Sequence, residues 1–136
     1  MARPVPFTHP VTVRYLEVDQ QGVVFNMWYL AYFDDAMTAF LEEGGLPYGD
    51  ILASGYDVQL VHTEIDWHGP LGFGDPTEVE VGVAQIGTTS FTLRFAVSSV
   101  GRSVSAATTV YVAVRTDGSG KCELPAPLLE ALGPVP

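Results

Sequence analysis

Residues 14 to 29 of this 136-residue chain read Arg14-Tyr15-Leu16-Glu17-Val18-Asp19-Gln20-Gln21-Gly22-Val23-Val24-Phe25-Asn26-Met27-Trp28-Tyr29. They carry the residue types that chemistry needs. A strand is expected to end near Glu17. Asp19 then falls on a turn with Gly22, where the chain can take a positive φ. The apolar Val23-Val24-Phe25 packs inward and a helix follows, with Asn26 as its expected N-cap. A carboxylate is thereby placed within a few residues of helix N–H groups that have no intrahelical partner. Such groups can hold a developing oxyanion, helped by the helix dipole. A carboxylate beside an oxyanion site can attack a carbonyl or activate a water against it. That is the equipment of acyl transfer. The competing reading is structural, because Asp-x-x-Gly is common in turns where Asp accepts local N–H groups.

The elements that must position this segment are legible in outline. Trp28 to Glu43 contains neither Gly nor Pro and is apolar around most of its circumference when wrapped on a 3.6-residue period. It reads as a long helix surrounded by other structure. Gly44-Gly45 supplies the stop, with Pro47 beyond. The second half alternates with period two, as half-buried strands do. Val79, Val81 and Val83 form one face, as do Phe91, Leu93, Phe95 and Val97, and Val104, Ala106, Thr108, Val110, Val112 and Val114 make one long row. Gly69-Pro70, Gly72 to Pro76, Gly87 and Gly101 punctuate these segments. Further strands are expected over Val11–Leu16 and Val58–Trp67, and a short helix over Pro127–Leu132. The order predicts an α+β fold in which a curved antiparallel sheet wraps a central helix. Its open edges call for pairing with a second copy.

Composition narrows the function classes. The length suits one domain, residues 1–136. The net charge of −10, with only 6 Lys and Arg, excludes the basic stripe of a nucleic-acid binder. It equally disfavours anionic membrane surfaces. No apolar run is long enough to span a bilayer. Met1–Pro10 holds three prolines and no apolar signal core, so the expected compartment is the cytoplasm. The single cysteine, Cys122, leaves no disulfide framework. His9, His62 and His68 are scattered, and no metal site is expected from their spacing.

The 14–29 segment resembles the signature of hotdog-fold thioesterases of the 4-hydroxybenzoyl-CoA thioesterase type. Their pattern is similar to Y-x-E-T-D-x-x-G-h-V-Y/F-x-x-x-Y, with h apolar. Phe33-Asp34, Leu41, Gly45, Leu46-Pro47-Tyr48, Gly74-Asp75 and the tail from Val114 to Pro125 extend the likeness over nearly the whole chain. The chain departs from the pattern at Val18, Asn26 and Met27-Trp28. No His-Gly-Gly motif of the other hotdog thioesterase lineage is present.

The resemblance implies a hotdog fold and hydrolysis of an acyl-CoA thioester to free acid and CoA, with no cofactor. It assigns Asp19 as the catalytic carboxylate, nucleophile or general base, and the backbone N–H near Asn26 as the group that polarises the carbonyl. Gly22, Val23, Val24 and Tyr29 would line the site. His62, Thr63 and Glu64 are candidates for a contribution from the second strand of a partner, since family sites lie at a dimer interface. Self-association is expected, as a dimer or as a homotetramer. Arg102, in a turn with Gly101, is the candidate for the CoA phosphates. Two other readings fit the same residues: an acyl-carrier-protein thioesterase of a biosynthetic pathway, and a non-catalytic thioester-binding protein. Like-charge repulsion between acidic proteins weakens the former, and the intact Asp19 and Gly22 weigh against the latter.

Overall fold

In the computed structural model, which describes residues 6–136, the Gly- and Pro-free stretch forms helix α1 (Trp28–Glu43). Its N-terminal boundary is the expected one, and it stops at Gly44, with Gly45 at φ 96° just beyond. The helix does not bury its whole circumference. Tyr29, Tyr32, Phe33, Ala36, Met37, Phe40 and Leu41 form one buried stripe, while Ala31, Asp34 and Asp35 are exposed. This i, i+3, i+4 stripe is the pattern of a helix lying across a sheet.

Five strands form that sheet in the order β1 (Phe7–Val11), β3 (Thr77–Ile86), β4 (Ser90–Ser99), β5 (Arg102–Arg115) and β2 (Tyr56–Trp67). Every neighbouring pair is antiparallel. Two short helices complete the chain, α2 (Tyr48–Ala53) and α3 (Ala126–Leu132). Phe33 of α1 stacks on Phe95 of β4 with ring centroids 4.9 Å apart. Such a pair contributes about 0.5–1.5 kcal/mol beyond its buried area. Phe40 meets Phe7 of β1 edge to face, and Tyr29 meets Trp67 of β2 in the same way. The helix is thus tied to both edges of the sheet. The result is the α+β arrangement of a curved antiparallel sheet around a long helix. Among the described residues no helix is long and apolar enough to cross a membrane. Met1–Val5, half of the stretch read for a signal segment, lie outside the described residues.

Three details correct the sequence reading. The first strand is Phe7–Val11, not Val11–Leu16, and Tyr15–Glu17 is a 3-10 turn. Pro10 sits within this strand, which is tolerable because β1 is a sheet edge and one N–H can be spared. Among the described residues only Val104 of the valine row joins the core cluster, and a register shift between Val97 and Ser98 of β4 passes the inward face to the odd-numbered residues beyond it. Register pairs Phe95 with Ala107, Leu93 with Thr109 and Phe91 with Tyr111, so the small residues Ala107 and Thr109 face the helix. Val110, Thr108 and Ala106 lie on the outer face. Finally, α2 was not foreseen, because Gly44, Gly45, Pro47 and Gly49 made that stretch read as loop.

Candidate active site

The Asp19 turn is built by its own backbone. Gly22 N–H donates to Asp19 C=O at 2.9 Å, and Asp19 N–H donates to Val23 C=O at 2.9 Å. Gly22 has φ 79°, in the left-handed region where an L side chain is strained. A bridge between Val18 and Val24 closes the base of the loop. Asp19 Oδ1 accepts the N–H of Gln21 at 2.8 Å, the local capping role anticipated for such a turn. Among the described residues Oδ2 has no hydrogen-bond partner, and the residue is half-buried rather than sealed. The turn therefore fixes the carboxylate and leaves one oxygen available.

The chain then runs into α1. Val24 N–H donates to Leu71 C=O at 2.7 Å, and Val23 bridges Gly72. The 71–75 loop thereby flanks the Asp19 turn. Asp75 Oδ2 secures that loop by accepting Gly72 N–H at 2.8 Å. Phe25 N–H donates to Glu17 C=O at 3.0 Å, while Phe25 C=O accepts Trp28 N–H at 3.0 Å. The N–H groups of Asn26 and Met27 have no acceptor among the described residues. Asn26 is not the N-cap: Met27 holds that place, already in helical φ and ψ, and no side chain caps the helix. The orphan donors that a cap would satisfy are left open, as an oxyanion site requires.

Glu17 anchors the beginning of the loop. It is only 3% exposed. Its Oε1 accepts Arg14 N–H at 2.9 Å and the Tyr32 hydroxyl at 2.7 Å, and its Oε2 accepts Arg14 Nε–H at 2.7 Å. Burial alone would raise this carboxyl, but these hydrogen bonds and the Arg14 charge outweigh it and hold it below the ordinary carboxylate range. Tyr32 is raised, by burial first and by its bond to Glu17 second. Sequence reading quoted Glu17 in the motif without giving it a role. Its signal was the spacing to Tyr32, which only the packing of the turn against α1 turns into a contact.

The other expected residues divide. Tyr29 is a core residue at the start of α1, edge to face with Tyr32 and Trp67, and burial raises its phenol. Arg102 is exposed, and its Nη1–H donates to Pro70 C=O at 2.8 Å, where it steadies the loop before β3. His62 and Thr63 lie on opposite faces of β2. Thr63 Oγ1 faces inward to Thr109 Oγ1 at 2.8 Å, whereas His62 points outward beside Glu64 at 3.4 Å. A β-bulge between Leu60 and His62 sets this alternation. Asp34 and Asp35 lie beyond the first turn of α1, outside the reach of the helix dipole at its N-terminus. Asp35 instead meets His9 at 2.8 Å, and burial together with Asp35 and Asp57 raises the Asp34 carboxyl. Among the described residues no group of His, Cys, Asp and Glu could hold a metal ion.

Exposed apolar side chains surround the turn. Tyr15, Leu16, Phe25, Met27 and Phe73 are all solvent-facing, with Tyr15 and Phe73 edge to face at 5.9 Å. They form a rim suited to an apolar ligand or a protein surface.

Comparison with known proteins agrees with this architecture. The Thioesterase-like superfamily profile matches residues 13–132. A 1,4-dihydroxy-2-naphthoyl-CoA hydrolase of Prochlorococcus marinus is 29% identical over 121 residues, spanning 83% of this chain and 78% of the relative. The crystal structure of Slr0204, a 1,4-dihydroxy-2-naphthoyl-CoA thioesterase from Synechocystis, superposes with TM-score 0.84 at 25% identity, covering 94% of this chain and 96% of the other. A hypothetical protein of Aquifex aeolicus superposes with TM-score 0.86 at 27% identity, covering 96% and 100%. The chain therefore belongs to the Thioesterase-like superfamily and is a hotdog-fold thioester hydrolase.

Proposed function

We propose that this protein hydrolyses an aryl acyl-CoA thioester, with Asp19 as its catalytic carboxylate and the Asn26 N–H as the donor to the thioester oxygen. The observation that carries the reading is the pairing of a fixed carboxylate on the Gly22 turn with N–H groups at the start of α1 that have no acceptor among the described residues. In the general-base route Asp19 takes a proton from water as the water oxygen bonds to the thioester carbon. The tetrahedral oxyanion rests on the Asn26 N–H. The C–S bond then breaks, and the departing CoA sulfur is protonated by the Asp19 carboxyl. In the nucleophilic route Asp19 itself bonds to the carbon and displaces CoA, and water then hydrolyses the mixed anhydride. Both routes end in free acid and CoA. The aryl preference is supported by the naphthoyl-CoA activity in the names of relatives and by the aromatic rim around the turn.

The working unit is proposed to be a homodimer, the building block of a tetramer. Among the described residues β2 is paired on one edge, toward β5, and its other edge is open over 12 residues. Exposed Leu60 and Val61 lie at its middle. Antiparallel pairing of two such edges would put the two-fold axis near residues 61 and 62. Trp67 of the same strand packs on Tyr29 at the start of α1, so the pairing would also extend the site across the interface. In that register His62 and Thr63 would lie beside the two-fold axis, each next to the partner strand, and not at the Trp67 end.

A hydrolysis panel of benzoyl-, 1,4-dihydroxy-2-naphthoyl-, butyryl- and octanoyl-CoA tests the reading. Higher kcat/KM for the aryl thioesters is expected, and absence of turnover on every thioester would overturn the assignment. A single turnover in ¹⁸O-water separates the routes, because label in Asp19 requires the anhydride.

A further inference from the structure

We infer that Glu17 is a positioning residue, a buried carboxylate that holds the Asp19 turn and the open N–H of Asn26 in one fixed relation. The inference rests on the roles proposed above for Asp19 and Asn26 and gives a function to a group that those roles leave unused.

The geometry supports it from both ends of Glu17. Its backbone C=O accepts Phe25 N–H at 3.0 Å, which pins the residue just before Asn26. Its side chain accepts the Tyr32 hydroxyl at 2.7 Å, one turn into α1. Two residues along the chain, Asp19 begins the turn. Glu17 is therefore the junction through which the turn is hydrogen-bonded to the residue before Asn26 and to the helix body. Arg14 closes the arrangement. Its N–H and Nε–H both donate to the carboxylate, and its guanidinium lies over Trp28, the first residue of α1, at 5.6 Å from the ring centroid.

Packing alone does not explain a carboxylate at this place. Removing an ion from water is costly, and apolar residues of similar volume often replace buried ion pairs without loss of stability. What a carboxylate supplies and a leucine does not is directional acceptance of three hydrogen bonds. Here those bonds lock two separate chain segments whose relative position sets the carboxylate against the oxyanion donor. Displacement of either group by a fraction of an ångström should lower the rate, while substrate contacts elsewhere remain.

Tyr32→Phe removes one hydroxyl from the arrangement, and Glu17→Gln keeps the shape while placing an amide NH₂ against a donor. Both are compared with the parent and with Asp19→Asn, using the best substrate of the panel. With fold checked by circular dichroism, kcat is expected to fall about 10-fold to 100-fold in each variant, with KM changed by less than about 3-fold. The second readout is the carbonyl stretching band of benzoyl-CoA bound to Asp19→Asn, which moves to lower frequency when an N–H polarises the carbonyl. Adding Tyr32→Phe to that background should move the band back toward the value of free benzoyl-CoA. Unchanged kcat and an unmoved band in folded variants would overturn the inference, as would a rise in KM with kcat intact. If Asp19→Asn keeps full activity, the proposed function has failed instead. An inactive Asp19→Asn beside fully active Tyr32→Phe and Glu17→Gln would sink only the positioning role. Should Glu17→Gln fail to fold, the single oxygen lost in Tyr32→Phe still decides the question.

Discussion

Gly22 offers a direct way to ask whether the shape of the Asp19 turn matters, because space and conformation can be separated there. A Cβ built on Gly22 meets nothing within 4 Å, so an added side chain has room. The obstacle is the backbone, at φ 79°. A left-handed conformation costs an ordinary L-residue about 1–2 kcal/mol, and asparagine less. Gly22→Ala is therefore expected to destabilise the protein by about 1–2 kcal/mol, a fall in Tm of roughly 3–8 °C for a chain of this size. Gly22→Asn, although larger, should lose less. Activity should follow the same order, since relaxation of φ at Gly22 pulls on its N–H bond to Asp19 C=O and shifts the carboxylate. Thermal unfolding followed by circular dichroism and kcat on an aryl-CoA substrate measure the two effects. If Gly22→Asn is the worse variant, crowding and not strain governs the turn. If Gly22→Ala matches the parent in both measurements, the turn does not hold Asp19 as described.

Other consequences follow from single features. Val100 is 85% exposed and sits at φ 49° in the two-residue turn between β4 and β5, so Val100→Asn should raise stability by about 1 kcal/mol, read as a higher urea midpoint. Val61→Lys places a charge on the open edge of β2; it is expected to yield monomers by light scattering and to lower activity if the site needs a partner. The folded Glu17 carboxyl titrates below its unfolded value near 4.5. Its contribution to stability is therefore full above that pH and is lost as pH falls through the folded value. Urea midpoints measured from about pH 6 down to about pH 3 should fall less steeply in Glu17→Gln than in the parent.

Local sequence determined some elements and not others. Helix α1 was legible because Trp28–Glu43 lacks Gly and Pro and ends on a glycine pair. β3 and β4 were legible because their inward rows, Val79 to Val83 and Phe91 to Val97, are large and apolar. β5 misled because a register shift beside Val104 hands the inward face to Ala107, Thr109 and Tyr111, while Val110 goes to the outer face. β1 misled because Val11 to Leu16 alternates well, yet pairing with β3 falls on Phe7–Val11. The Asp19 turn was readable from Asp19 and Gly22 alone. Glu17 was not, because its meaning depends on contact with Tyr32, 15 residues away along the chain. His62 and Thr63 illustrate a different limit: a one-residue bulge decides which of them faces the helix, and nothing in the local sequence announces it.

The central claim is that the Asp19 carboxylate performs the chemistry. Asp19→Asn keeps an oxygen that can accept the Gln21 N–H, so the turn should persist while the charge is lost. With the fold verified, kcat on the best aryl-CoA substrate is predicted to fall by about 10²–10⁴-fold. Full activity in that folded variant would contradict the account.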